Sequence, residues 1–122
     1  MIRGSPPRAR NAAITGSKSN AVLEGVDADL YLTDPKYKAL ILTSILKRVD
    51  VASQKVVEQA AKSKTFDNST YIGDLKNGGV GLSPFHDFTT KIPSTLPAEL
   101  NTIKSGIQDG SIAVDSPSSL KK

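Results

Sequence analysis

The stretch AVLEGVDADLYLTDPKYKALILTSILKRVDVASQKVVEQAAK, residues 21–62, decides the fold class. It opens with Ala21 to Asp27, an apolar run ending in an acid, which reads as a short buried strand. Thr33-Asp34-Pro35 follows as a helix start, because Asp34 can cap and proline's fixed φ suits the first helical turn. Leu42, Ile45, Leu46, Val49, Ala52, Val56 and Ala60 then recur at spacings of three and four. That spacing predicts one long helix over roughly 36–62 with these side chains on one face. A strand feeding an amphipathic helix begins an α/β arrangement, and the apolar face needs a sheet or a second helix to cover it.

Working outward, Asp67-Asn68-Ser69 reads as a turn and Thr70-Tyr71-Ile72 as a short β-rich run. Asn68-Ser69-Thr70 also matches a glycosylation acceptor, but its composition reads as a turn. Asn77-Gly78 is the strongest two-residue hairpin signal, since both turn positions must tolerate positive φ. Val80 to Phe85 is the expected returning strand, with Pro84 marking an edge or exit. Ser94 to Gln108 predicts a second helix with Leu96, Leu100, Ile103 and Ile107 on one side. Asp109-Gly110 closes it, and Ile112 to Val114 reads as a last strand. The order β–α–β–β–α–β is that of an α/β domain.

Composition narrows the function classes. The chain has 122 residues, no cysteine and one histidine, His86. Disulfides, thiolate metal sites and a catalytic cysteine are thereby excluded, as is any multi-histidine metal site. Apolar runs such as Ala39 to Leu42 fall far short of the ~20 residues that span a bilayer. The net charge of +4 is local: Arg3, Arg8, Arg10 and Lys18 precede the first acid, Glu24, and the remainder is balanced. Residues 1–20 therefore read as a disordered basic arm or a vector-derived leader, residues 21–114 as a partial domain, and 115–122 as a flexible tail. No signal peptide or lipidation cysteine is expected in the chain itself.

Four segments carry a more specific likeness: Gly-Val-Asp-Ala-Asp (25–29), Leu-Thr-Ser-Ile-Leu-Lys-Arg-Val-Asp-Val-Ala (42–52), Gly-Gly-Val-Gly-Leu-Ser-Pro-Phe-His-Asp (78–87) and Ile-Gln-Asp-Gly-Ser-Ile-Ala-Val (107–114). In this order they resemble the C-terminal part of the basic membrane protein (BMP) group of ABC-transporter solute-binding lipoproteins, the purine nucleoside receptors. The likeness covers about residues 25–114. It implies a periplasmic-binding-protein-like type I fold, two Rossmann-like lobes closing on a nucleoside, of which this chain is a C-terminal fragment. The acid at Glu24 departs from the family's apolar strand, and implies that the sequence upstream is joined on at this point.

The resemblance also proposes site residues. Asp27 ends a predicted parallel strand, where open α/β sheets place their ligand crevice, and a carboxylate can accept hydrogen bonds from both vicinal hydroxyls of a ribose. The alternative is a helix-capping or turn aspartate. Lys47, expected in mid-helix, resembles a family lysine that donates to the nucleoside; the alternative is a solvated lysine. Asp29 is a secondary ligand candidate that points elsewhere if the strand continues. Arg48 and Asp50 read as an exposed ion pair. Gly78, Gly79 and Gly81 lack phosphate-loop spacing and read as a hairpin with close backbone approach. His86-Asp87 is an acid–base pair only on paper, with no nucleophile indicated.

The expected function is binding of a purine nucleoside for uptake by an ABC permease, without catalysis or cofactor. The parent is expected to be extracytoplasmic and membrane-anchored. The alternative is a non-enzymatic interaction module whose basic arm touches nucleic acid or a protein partner.

Overall fold

The computed structural model describes residues 2–3, 21–63 and 68–115. The arm from 4 to 20, the turn residue Asp67 and the tail from 116 lie outside the described residues. The chain divides into two compact units, 1–91 and 92–122.

The first unit is built on a four-stranded sheet in the order β1-β2-β3-β4, formed by Ile2–Arg3, Leu23–Asp27, Ile41–Lys47 and Val80–Leu82. The first three strands are parallel and β4 is antiparallel to β3. Between β2 and β3 run a single helical turn, α1 (Leu30–Thr33), and a 3-10 segment over Pro35–Leu40. Helix α2 (Val49–Lys62) follows β3. The α/β class expected from sequence is the one observed.

The long helix expected over 36–62 is not. Asp34 and Pro35 do open a helical segment, but it is a 3-10 segment that ends at Leu40, and residues 41–47 form the strand at the centre of the described sheet. A run such as Ile-Leu-Thr-Ser-Ile-Leu has apolar residues on both helical and strand spacings. Pairing decides between them: Ile45 lies opposite Val26 on one side and Leu82 on the other. A β-rich stretch with two waiting neighbours gains a ladder of hydrogen bonds on both edges. Helical structure resumes only at Val49.

Two further strands do not form. Thr70 to Ile72 is irregular, as is Ile112 to Val114. The loop before β4 is shaped instead by a side-chain exchange. Asn77 Oδ1 accepts from the Asp74 amide at 2.9 Å, and Asp74 Oδ1 accepts from the Asn77 amide at 2.9 Å. Gly78 takes the left-handed conformation at φ 73° while Asn77 does not, so the turn is not the expected two-residue hairpin. Gly79 is buried with its α-carbon against Gly73, a close backbone approach that no side chain would allow.

The centre of the sheet is partly polar. Ile41 and Leu23 are buried, and beside them lie Thr43, Ser44 and Ser83. Ser83 Oγ accepts from the Ser44 amide at 2.8 Å, and Thr43 Oγ1 donates to the Ser83 carbonyl at 2.9 Å. These bonds satisfy the hydroxyls, so their burial carries no desolvation deficit. Ser44, wholly buried, has its Oγ against Gly25 and accepts there from the Leu30 amide at 3.1 Å. A β-carbon on Gly25 would meet Ser44 Oγ and come within 2.7 Å of Leu30 Cγ.

In the second unit, helix α3 (Leu96–Asp109) matches the expected segment within two residues at each end. Gly110, at φ 87°, closes it with its amide on the Gly106 carbonyl, as the Asp-Gly pair predicts. Ile112 folds back so that its side chain covers the buried Gly106. No helix among the described residues is long and apolar enough to cross a membrane.

Gly25→Ala should cost about 1–3 kcal/mol by overpacking, and Ser44→Ala about 1–3 kcal/mol by orphaning the Leu30 amide. Because the added methyl and the serine oxygen occupy the same space, the double variant should lose less than the sum of the two. Urea unfolding of the three variants measures this directly.

Candidate functional site

The carboxyl ends of the parallel strands β2 and β3 lie side by side, with Asp27 opposite Leu46 and Lys47 one residue beyond. Strand ends of this kind border ligand crevices in open α/β sheets, because the chain turns away there and leaves backbone and side chains facing outward. A cleft of about 520 Å³ opens at this point, with Asp27, Ala28 and Asp29 on one side and Leu46 to Asp50 on the other.

Asp27 leaves the strand in the left-handed conformation, φ 77°. Aspartate tolerates this better than most residues, since its short side chain can bond locally. The turn ends the strand at once and carries the chain into α1. Asp29, not Asp27, is the capping aspartate: its Oδ1 accepts from the Tyr31 amide at 3.1 Å. Its Oδ2 bonds to His86 Nε2 at 2.8 Å. The second candidate is thus committed to two protein partners.

Lys47 lies not on a helix but at the end of β3, which brings it to the same edge as Asp27. Arg48 and Asp50 form the expected exposed pair, with Nη2 to Oδ2 at 2.7 Å and Nε to Oδ1 at 3.0 Å. The hydrogen bond from Arg48 lowers the Asp50 carboxyl from 3.8 to about 2, helped by the Val51 amide in the first turn of α2. Among the described residues, the side chains of Asp27 and Lys47 make no hydrogen bond or ion pair. The cleft therefore presents one carboxylate and one ammonium that are uncommitted, and pairs its other charges internally.

Sequence reasoning missed the network behind Asp29. The Tyr31 ring stacks on His86 at 4.0 Å between centroids and 9° between planes. Its hydroxyl donates to Asp87 Oδ1 at 2.9 Å, which holds the phenol above its usual 10.0. His86-Asp87 serves as the landing site for α1; the only available signal was the adjacency of the two residues.

No family model matches the sequence, and no curated protein is significantly similar to it. Among solved structures, the chain is similar to a crystal structure of ABC transporter system solute-binding proteins from Aeropyrum pernix K1. The TM-score is 0.62 and the identity 24%, over 90% of this chain and 36% of that one. The chain accordingly shares the α/β fold of part of that structure, and spans little more than a third of that neighbour's length.

The Asp50 carboxyl should titrate near 2 by carbon NMR and return toward the ordinary 3.8 in Arg48→Ala. With a depressed native value, the pair's contribution to stability is complete above the ordinary carboxylate range. It is lost as pH falls through about 2.

Proposed function

We propose that this chain is the C-terminal ligand-gripping portion of a non-enzymatic ABC-transporter solute-binding protein, and that its ligand is a purine nucleoside. The observation that carries the reading is the pairing of Asp27 and Lys47 at adjacent strand ends in one cleft, both uncommitted among the described residues. A carboxylate accepts from two ribose hydroxyls, and an ammonium donates to a ring nitrogen, carbonyl or sugar oxygen. The two roles suit a neutral ligand rich in both donors and acceptors. The Gly-Val-Asp and Leu-Lys-Arg-Val-Asp motifs, with their likeness to the BMP group, supply the purine nucleoside.

The parent protein is proposed to work outside the cytoplasmic membrane and to hand its ligand to a permease. Binding in this class relies on enclosure between two lobes. One edge of the crevice excludes little water, so the affinity of this chain is expected to be weak, Kd of ~1 mM or above.

An amide NMR titration with guanosine at millimolar concentration tests the reading. Shifts are expected at Asp27, Ala28 and Lys47, and should vanish in Asp27→Ala and Lys47→Ala. 2′-Deoxyguanosine, lacking one hydroxyl of the pair, should shift the same amides at least several-fold less per unit concentration. Equal responses to both ligands, or an unchanged response in Asp27→Ala, would sink the assignment.

A further inference from the structure

The left-handed turn at Asp27 must be held from both sides for its carboxylate to keep one direction. On the N-terminal side, the β2 ladder does this. On the C-terminal side, the next anchored residue is Asp29, and its anchor is a reciprocal clasp between two distant segments. Asp29 and Tyr31 come from the start of α1; His86 and Asp87 come from the 3-10 turn His86–Phe88 that follows β4. His86 Nε2 meets Asp29 Oδ2, the Tyr31 ring lies on the His86 ring, and the Tyr31 hydroxyl closes the loop onto Asp87. The side chains of His86 and Asp29 are only 18% and 15% exposed, so water competes poorly for their bond.

We propose that His86 is a positioning residue for the cleft: through Asp29 it fixes the Ala28 turn and thereby the direction of the Asp27 carboxylate. The ligand-affinity part of this proposal rests on the nucleoside reading above; the positioning part does not. Asp29 bonds to the ring directly, while Tyr31 covers one face and carries Asp87 on its hydroxyl. Lys38 Nζ lies 4.6 Å from the Tyr31 centroid. Removing the imidazole leaves Asp29 Oδ2 without this partner and Tyr31 without its stacking surface, so the turn before α1 loses its hold on the second segment. Nucleoside affinity should fall with it.

His86→Ala should displace the Asp27 and Ala28 amide signals and weaken guanosine binding about threefold or more. His86→Gln, which keeps a donor near the Nε2 position, should return both toward the wild-type values. The proposal is overturned if His86→Ala leaves the Asp27 and Ala28 amides in place, or if His86→Gln displaces them as far as His86→Ala does. Amides displaced in His86→Ala and restored in His86→Gln, with no guanosine binding by any form of the chain, would remove the nucleoside assignment and uphold the positioning of Asp27 by His86.

Discussion

The contact on which the site depends is the one among Gly25, Ser44 and the Leu30 amide. The Ser44 hydroxyl has its place because residue 25 has no side chain, and once there it accepts the first amide of α1. This draws the chain back onto β3 immediately after β2 ends. The left-handed step at Asp27 follows from that demand, since the strand must turn within a few residues to bring Leu30 over Ser44. A helix would otherwise need a longer connection, and the carboxylate would lose its place at the strand end.

The same edge shows how charge is sorted. Five ionisable side chains line the cleft, three acids and two bases. Arg48 and Asp50 neutralise each other in the solvent-exposed first turn of α2. Asp29 is consumed by capping and by His86. Of these five, only Asp27 and Lys47, on neighbouring strands, make no side-chain hydrogen bond or ion pair among the described residues. The sheet brings both to the edge of the same cleft, one from each of two adjacent strand ends.

The sheet also leaves apolar surface in view. Val26, Ile45 and Leu82 sit in register across three strands and are 40%, 40% and 47% exposed. Helix α2 has no fully buried residue. Cross-strand rows of this kind are the units by which a sheet is stabilised, and here the row stays open to solvent along its length.

Much of the local structure was legible. The strand ending at Asp27, the helix from Leu96 to Asp109, its glycine stop and the Arg48–Asp50 pair are short-range features, each set by residues within one or two turns of one another. The segment 41–47 was not legible, because its apolar pattern serves helix and strand alike and only the neighbouring strands choose. For the same reason Lys47 was expected on a helix, where it would stand a full crossover away from Asp27. Nor could sequence tell which aspartate caps and which faces the cleft, since Asp29 is tied to a histidine 57 positions along the chain. Local propensity thus determined the class, and the resemblance carried by the motifs named the candidate residues. Tertiary pairing decided where they meet, because strand register and a buried serine contact act between segments that the sequence holds apart.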